Sequence, residues 1–490
     1  MSHLLQIDPR DDVAVALRPV SAGDAVAEGV VAAADIPAGH KVALRRIAAG
    51  EEVRKYGWPI GRATAPIAPG EHVHSHNLAT ALTTHEDYAY EPAARETLPP
   101  PEGTFLGYRR KSGKVGTRNE IWILCTVGCV ARTAQKIAAE ADRRFKGRVE
   151  GVIALTHPFG CSQLGGDLDA TRTMIAALAA HPNAGGVLIL GLGCESNQLA
   201  ALLESAPDLD RERLRAFTAQ ITEDEVEEGL KAVEELVAVA ERDVREPCPI
   251  ADLVVGVKCG GSDGFSGLTA NPLVGRIADK VTAGGGTAVL TEIPEIFGAE
   301  RLLMARAKDE ATFRGIAAVV NDFKAYFVAH GEPVSENPSP GNIEGGITTL
   351  EEKSLGAVQK AGRGTVTEVL RYGERVRDKG VVLLEAPGND AVSSTALTAA
   401  GATVILFTTG RGTPLGFPAP TLKLATNSSL AQRKPHWIDF DAGRITAGES
   451  VDDAADRLMD LVLATASGRL TRSEENGERE IALWKRGVTL

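Results

Sequence analysis

The feature that most constrains the fold is a repeated pattern. A short apolar run ends in a glycine-rich polar turn, and a helix-like segment follows. The pattern recurs from Phe105 onward, with apolar runs at Ile121–Val127, Gly186–Leu190 and Leu253–Val257. Alternating strands and helices favour largely parallel sheets, and open sheets of this kind bind ligands at the carboxyl ends of their strands. The sequence therefore predicts Rossmann-like α/β regions whose polar turns gather at one edge of a sheet.

The first 84 residues have a different pattern. Short apolar runs separated by Pro/Gly turns predict a small barrel or clip of strands there. Residues 85–104 contain Pro99–Pro101 and little periodicity, which predicts an extended linker. The rest divides into α/β regions at 105–249, 250–375 and 376–490. A long polar segment without periodicity, Pro333–Leu355, predicts a binding loop or lid.

Composition and motif content indicate which classes of partner and cofactor are not expected. The 490 residues carry a net charge of -12 and no Lys/Arg-rich run, so nucleic acid is not expected. No apolar stretch is long enough to cross a bilayer, and no secretory signal precedes the first domain, so we expect a cytoplasmic protein without a membrane partner. A homodimer is the default assembly. Nucleotide cofactors are not favoured, because the chain lacks GxGxxG and Walker motifs.

Four of the six cysteines occupy equivalent positions in the sequence. Cys129, Cys161, Cys194 and Cys259 each lie in a glycine-rich turn that follows an apolar run. In a large chain of this kind, cysteines are more often thiols or ligands than disulfides. These four are therefore predicted metal ligands, whereas Cys125 and Cys248 are predicted to be inert core residues.

A histidine-rich strand is predicted near the end of the first module, in EHVHSHN. Strand alternation would place His72, His74 and His76 on one face, and imidazole is a common metal ligand. His74 and His76 are the predicted ligands, and Asn77 is predicted to contact substrate. The alternative is a solvated polar face.

The stretch from Lys258 to Glu300 concentrates polar chemistry. Ser262, Asp263 and Asn271 follow one buried strand, and Glu292 and Glu295 follow the next. These hydroxyl, amide and carboxylate side chains could bind the hydroxyl groups of a polyhydroxylated acid, and isolated Lys or Arg side chains elsewhere could bind its carboxylate. A metal beside a carboxylate, a base and an acid could remove the α-proton and expel a β-hydroxyl. The alternative is an ordinary strand–loop–helix crossover.

The sequence resembles the altronate/galactarate dehydratase family over nearly its whole length. The resemblance is carried by long motifs of unusual composition, namely VHSHN, GYRRKSGKVGTRN, THPFGC, GLGCE, KCGGSDGFSGLTANPLVG, EIPEIFGAE, NPSPGNIEGGITTLEEKSLG, APGNDAVSSTALTAAGATVILFTTGRGTP and KPHWIDFDAG. The EHVHSHN and KYGWPIG stretches are more similar to the altronate branch of the family.

The resemblance implies an SAF-type β-clip for the first module and dehydration of an aldonate. The expected reaction converts D-altronate to 2-keto-3-deoxy-D-gluconate with a divalent metal, Fe²⁺ first and Mn²⁺ second. An iron–sulfur cluster on the loop cysteines is the alternative cofactor. Alternative functions are a galactarate or other hexonate or aldarate dehydratase, a sulfolactate sulfo-lyase, and a non-catalytic sugar-acid-binding protein.

The predicted roles form three groups. The predicted catalytic residues are His157, Lys353, Glu292 and Glu295. The predicted substrate contacts are Asn77, Ser262, Asp263, Asn271, Asn342, Thr409 and Arg411, where the guanidinium of Arg411 and the ammonium of Lys353 suit a carboxylate. The predicted metal ligands are His74, His76, Cys129, Cys161, Cys194 and Cys259. For His157 the alternative is a loop histidine bonded to the backbone, and for the two cations it is salt bridging.

Overall fold

The computed structural model describes residues 3–94 and 96–490. The N-terminal module consists of nine short strands, β1 (Leu4–Leu5), β2 (Val13–Ala16), β3 (Ala25–Ala27), β4 (Val30–Val31), β5 (Lys41–Ala43), β6 (Glu52–Lys55), β7 (Trp58–Ala63), β8 (His72–Val73) and β9 (Leu78–Ala79). They pair antiparallel in the orders β1-β2-β5-β8, β6-β7-β9 and β3-β4. The predicted β-clip is confirmed.

The second domain contains a four-stranded parallel sheet in the order β13-β12-β14-β15. Its elements are β10 (Thr104–Arg109), β11 (Val115–Gly116), β12 (Glu120–Cys125), α1 (Ala131–Arg144), β13 (Val152–Leu155), α2 (Gly165–Ala179), β14 (Ala184–Gly191), α3 (Leu199–Glu204), β15 (Leu214–Thr218), α4 (Glu225–Ala240) and β16 (Glu246–Pro249). All residues of β12 and β14 are buried, as their continuous apolar sequences require in a sheet covered on both faces.

The third domain is built on a seven-stranded parallel sheet in the order β19-β20-β18-β17-β21-β22-β23. Its elements are β17 (Val254–Cys259), α5 (Ala270–Ala283), β18 (Thr287–Leu290), α6 (Glu300–Met304), α7 (Glu310–Ala329), α8 (Pro340–Glu344), α9 (Leu350–Ala357), β19 (Val366–Leu370), β20 (Gly380–Leu384), α10 (Asp390–Ala400), β21 (Val404–Thr409), β22 (Thr421–Ala425), α11 (Ser428–Arg433), β23 (Phe440–Asp441), α12 (Val451–Ala466) and α13 (Arg472–Glu475). The predicted regions 250–375 and 376–490 thus share one sheet.

The first part of the linker, up to Ala93, lies against the third domain. Tyr88 donates a hydrogen bond to Glu300 at 2.6 Å, and the Ala93 N–H bonds to the carbonyl of Ala305 at 2.8 Å. These contacts hold the linker to α6 and its C-terminal end, so the β-clip is tethered beside the third domain.

The two parallel sheets present their carboxyl edges to the same side of the molecule. Helices α2 and α10 pack against each other, and residues at the C-terminal end of each line one cavity, including Ala177, Ala180, Ala399 and Ala400. The two helices therefore run in the same direction, and their N-termini both lie toward the ligand-binding edges. Within the described part of the chain, no helix has the length and apolarity needed to cross a bilayer.

Candidate active site between the β-clip and the third domain

The loop after β17 is shaped by close neighbours. A Cβ on Gly264 would lie 2.0 Å from the carbonyl oxygen of Gly39, which belongs to the β-clip. A Cβ on Gly260 would lie 2.6 Å from both a carboxylate oxygen of Asp390 and the ring of Phe407. Glycine is needed at Gly264, because the neighbouring atom there belongs to the backbone, whereas a side chain at Gly260 would have to displace Asp390 or Phe407. The β-clip therefore reaches the carboxyl edge of the seven-stranded sheet.

A buried ionic cluster lies beneath this loop. Lys258 Nζ is 2.6 Å and Lys360 Nζ is 2.9 Å from the Glu292 carboxylate, and all three side chains are at most 1% exposed. Burial opposes ionisation of Glu292, but the attraction of the two ammonium groups outweighs it and lowers the pKa of Glu292 to about 2. Glu292 has a φ of 68°, in the left-handed region that non-glycine residues rarely adopt. Strain of this kind is typical of functional sites.

Cys259 lies in the same cluster. Its Sγ is 2.8 Å from Lys360 Nζ and 3.3 Å from the Glu295 carboxylate. Burial, and then the charge of Glu292, raise the pKa of the Cys259 thiol to about 12. The thiol is therefore protonated at neutral pH in this environment.

Lys353 and Glu295 extend the cluster toward the β-clip. Lys353 Nζ donates to Glu295 at 2.9 Å, to Asn337 Oδ1 at 2.9 Å and to Asn342 Oδ1 at 3.2 Å. Asn342 also donates to the carbonyl of Ser262 at 2.8 Å. The pair thus places one carboxylate and one ammonium where α8, α9 and the turn after β18 meet.

The described residues contain one group of three or more metal-ligating side chains whose donor atoms all lie within 4.8 Å of one another. This group consists of Cys259, Glu292 and Glu295. They are close enough to share one ion. However, Lys258, Lys360 and Lys353 already occupy these donors, so a dication would bring further positive charge against three ammonium groups. The donor geometry fits a metal, whereas the surrounding charge opposes one.

Four histidines form a second cluster at the docking face of the β-clip. The rings of His40, His72 and His74 have centroids 5.0 to 5.2 Å apart, and His76 lies 5.6 Å from His72. Burial lowers the pKa of His40, His72 and His74, that of His72 to about 3, so these rings are neutral at pH 7. Metal ligation requires neutral imidazole.

Backbone carbonyls of α8 orient two of these rings. His74 Nε2 lies 3.0 Å from the carbonyl oxygen of Ile343, and His40 Nε2 lies 3.2 Å from that of Glu344. The other ring nitrogens also have partners, since His40 Nδ1 lies 3.0 Å from His72 Nε2 and His74 Nδ1 lies 3.0 Å from Ser75 Oγ. A bound metal would have to replace these Nδ1 contacts, while the carbonyls of α8 would keep orienting the rings through Nε2. Neutral imidazoles are suitable ligands for a divalent metal, but the ring nitrogens of these histidines do not all lie within 4.8 Å of one another, so sharing one ion would require the rings to turn.

A buried ion triad holds the β-clip in place. Lys41 Nζ and Lys55 Nζ each lie 2.8 Å from a different oxygen of Glu352, and the three side chains are at most 2% exposed. Lys41 also donates to the carbonyl of Gly346 at 2.8 Å. The residues of α9 thus bind the same module whose histidines face α8.

Three predicted substrate contacts are near the open part of this junction. Asp263 accepts hydrogen bonds from Ser266, Thr426 and Asn427, and burial raises the pKa of its carboxyl group. Ser262 and Asp263 line a small cavity together with Lys353 and Glu352. Arg411 is exposed and pairs with Glu344 at 2.7 Å.

Other predicted contacts have structural partners. Asn77 donates to the carbonyl of His72 and accepts from the His74 N–H, which fixes the turn of the histidine string. Asn271 bonds to Thr408 at 2.6 Å and to the carbonyl of Gly356 at 3.1 Å. Thr409 Oγ1 accepts from the Gly412 N–H at 2.8 Å. These three residues orient the loops of the site in this structure.

The remaining predicted residues lie in the second domain. Both ring nitrogens of the buried His157 bond to backbone groups, Nε2 to the Cys125 carbonyl at 2.9 Å and Nδ1 to the Phe159 N–H at 3.2 Å. Cys129, Cys161 and Cys194 are exposed on loops of the four-stranded sheet, whereas Cys259 is buried on the seven-stranded one. The four cysteines therefore divide into two sites.

Sequence reasoning missed several residues of the junction, namely His40, Lys41, Lys55, Lys258, Glu352 and Lys360. The signal available for the lysines was a charged residue inside an apolar strand, as in VVGVKC. A lysine in that context requires a buried carboxylate partner.

Comparisons with known proteins agree with this architecture. Residues 2–81 match the "Altronate/galactarate dehydratase SAF domain", residues 107–241 the "D-galactarate dehydratase/Altronate hydrolase, second domain" and residues 250–489 the "D-galactarate/Altronate dehydratase, C-terminal" family model. The chain is 50% identical to the altronate dehydratase of Escherichia coli, with 99% of each chain covered, and 47% identical to that of Bacillus subtilis, with 100% of each covered. It is 35% identical to a galactarate dehydratase (L-threo-forming) of E. coli, covering 95% of this chain and 93% of that one. The chain therefore belongs to the altronate/galactarate dehydratase family.

Proposed function

We propose that this protein removes water from D-altronate to give 2-keto-3-deoxy-D-gluconate. The higher identity to altronate dehydratases than to a galactarate dehydratase supports altronate as the substrate. The single observation that carries the proposal is the position of α8. Its Asn342 bonds to Lys353, while its Ile343 and Glu344 carbonyls bond to His74 and His40. One helical turn thus connects an acid–base pair with a cluster of neutral imidazoles.

The substrate carboxylate is proposed to bind Arg411. The guanidinium and its present partner, Glu344, are both exposed, so a carboxylate from solvent can replace Glu344 with little desolvation. Ser262, Asp263 and Asn342 then offer donors and acceptors to the hydroxyl groups of the hexonate. Thr409, at the start of the Arg411 turn, orients that turn.

Dehydration requires a base and an acid. The C2–H bond breaks and its proton passes to the base, while the C3–O bond breaks and the hydroxyl leaves as water with a proton from the acid. The resulting enol then gains a proton at C3 and loses the proton of its O2 hydroxyl to become the 2-keto-3-deoxy acid. We assign the base to the Glu295 carboxylate and the acid to the Lys353 ammonium, which are 2.9 Å apart. Glu292 stays ionised between Lys258 and Lys360, so its role is to hold that cluster. His157, whose ring is bonded to the backbone, is left out of this assignment.

The proposed metal ligands are His40, His72 and His74, with His76 beside them. Fe²⁺ is the first candidate and Mn²⁺ the second, since imidazole suits iron and the family resemblance favours it. When bound, such an ion supplies Lewis acidity to a carboxylate or hydroxyl oxygen. The chain's own contribution is to keep the rings neutral and to orient them through the carbonyls of α8.

The test is turnover of altronate, galactarate and sulfolactate by the full chain, before and after chelation and re-addition of Fe²⁺ or Mn²⁺. We expect formation of the 2-keto-3-deoxy acid from altronate, lost on chelation and restored by metal. Lys353→Met should lower kcat by at least about 100-fold, the usual contribution of an acid or base. Lys280→Met, at an exposed ion pair with Asp456, is the matched control.

Other outcomes identify the alternatives. Faster turnover of galactarate or release of sulfite from sulfolactate would replace the substrate assignment. Tight binding of altronate without product at every metal loading would indicate a non-catalytic sugar-acid-binding protein. A homodimer stays our expectation, and light scattering of the same sample measures it.

A further inference from the structure

Three exposed thiols lie on neighbouring loops of the second domain. Cys129, Cys161 and Cys194 follow β12, β13 and β14, respectively, and all three are exposed. These strands are parallel and adjacent in the order β13-β12-β14. Their loops therefore leave the sheet at the same edge.

Hydrogen bonds join the three loops into one unit. The Gly128 N–H donates to the carbonyl of Phe159 at 2.8 Å, which connects the first loop to the second. The Asn197 N–H donates to the carbonyl of Gly160 at 2.9 Å, and its side chain donates to the carbonyl of Thr126 at 3.1 Å. The loop of Cys194 is thus bonded to both others, which holds the three loop backbones together, and Cys194 Sγ itself accepts a hydrogen bond from Gln220 Nε2 at 3.3 Å.

The backbone around Cys161 is tightly constrained. Gly160 has a φ of 102°, and a Cβ there would lie 2.0 Å from the carbonyl oxygen of Thr126. Ser162 has a φ of 57°, which is unusual for a residue with a side chain. Such conformations persist where the surrounding structure requires them, and they are concentrated at ligand sites.

A buried amide group next to Cys161 lacks a hydrogen-bond partner. Gln163 is 3% exposed, and its Oε1 accepts from the Gly160 N–H at 3.0 Å. Its Nε2 is buried and has no partner among the described residues. Orphaned buried donors are rare in native proteins, so this one indicates an acceptor that the protein itself does not supply.

Helix geometry adds to the preference for a negatively charged ligand. Helices α1 and α2 begin shortly after Cys129 and Cys161, and neither has a side-chain cap at its N-terminus. Cys129 lies in a 3-10 turn, Gly128–Val130, that leads directly into α1, and α2 carries Asp167 in its first turn. The positive ends of the two helix dipoles favour negative charge at this edge. Thiolates and inorganic sulfide would supply that charge.

We propose that Cys129, Cys161 and Cys194 hold an iron–sulfur cluster as thiolate ligands. A single tetrahedral zinc ion would require sulfur atoms about 3.8 Å apart, given Zn–S bonds of about 2.3 Å. These three cysteines do not form a group with donor atoms within 4.8 Å, a condition that the described residues meet only at Cys259, Glu292 and Glu295. A cluster accepts wider spacing because each thiolate binds a different iron.

The number of thiols also predicts an open coordination position. A cubane cluster has four irons, so three cysteines leave one iron without a protein ligand. That iron can bind an oxygen ligand such as a hydroxy acid. Because α2 and α10 run in the same direction, this edge lies on the same side of the molecule as the loop of Asp390 and the junction described above. The cluster site is argued from the second domain alone and does not depend on the proposed reaction.

The test is anaerobic reconstitution of the full chain with Fe²⁺ and sulfide, followed by desalting. We expect about four iron and four acid-labile sulfide per chain, with the visible absorption and the paramagnetic resonance signal of a reduced cluster. Cys129→Ser, Cys161→Ser and Cys194→Ser should each lower both contents several-fold. Cys248→Ser, at a buried cysteine of β16, is the matched control and should retain them.

A second measurement needs no variant. In the loaded wild-type protein, Cys129, Cys161 and Cys194 should be protected from alkylation by iodoacetamide, whereas chelation should expose all three, as peptide mass spectrometry can show. Iron without sulfide, a cluster that survives loss of all three thiols, or equal alkylation with and without iron would each overturn the proposal. Loss of dehydration alone would not, since the readouts are metal, sulfide and thiol protection.

Discussion

Replacing Glu352 by Gln should release the β-clip from the third domain, because this carboxylate pairs with two buried ammonium groups. Lys41 and Lys55 each lie 2.8 Å from its oxygens, and Thr348 donates to it from both its backbone and its hydroxyl group. The substitution keeps the shape of the side chain and removes its charge. Two ammonium groups would then stay buried without a counter-ion, and breaking a buried pair in this way costs about 3–5 kcal/mol.

Hydrogen exchange measured by mass spectrometry can locate the effect. A loss of about 3 kcal/mol corresponds to an increase of about 100-fold in the opening equilibrium of the affected region. We expect this increase in peptides from β5 to β8, with no change in β12 or β14 of the second domain. Lys41→Met should have a smaller effect, because it leaves the Lys55–Glu352 pair neutral. If Glu352→Gln changed neither the exchange of the β-clip nor the urea midpoint, the triad would not be what holds this module.

Three further predictions concern the same junction. Burial lowers the pKa of Lys41 from 10.5 to about 8, so between these pH values the unfolded chain binds more protons than the folded chain. The free energy of unfolding of the wild type, relative to that of Lys41→Met, should therefore rise from about pH 8 to 10.5, as urea titrations can measure. Arg411→Ala should raise KM for altronate about 10-fold or more with a small change in kcat, as measured by product formation, because it removes an exposed carboxylate contact; an unchanged KM would contradict that role. His74→Ala should weaken Mn²⁺ binding at least about 10-fold in calorimetry with unchanged circular dichroism, and unaltered binding would move the metal elsewhere.

The parallel sheets could be predicted because their sequence pattern is local. Ile121–Val127 and Val404–Phe407 are continuous apolar runs that end in polar turns, and the structure has strands at both. The segment 333–355 was predicted as a long loop, whereas it contains α8 and the start of α9. These short helices are capped by Ser339 and Thr349, and they are too short to produce a helical period.

The partners of buried charges could not be predicted, since they are distant in the sequence. Lys258 bonds to Glu292, 34 residues away, and Lys41 to Glu352, 311 residues away. The sequence pattern also predicted that Cys259 lies with the other turn cysteines. Equivalent positions after strands do not reveal which strands share a sheet, so this separation could not be predicted. His40 was missed since its ring meets His72 only after the β-clip has folded.

The contact between Lys41 and Gly346 spans 305 residues, which sets an order of events during synthesis. At about 5–20 residues per second, the β-clip would leave the ribosome roughly 15 to 60 s before α8, which orients its histidines, has been synthesised. During that interval the rings of His40 and His74 lack the carbonyls of α8. The proposed metal site would therefore be completed only after α8 has been translated and has docked on the β-clip.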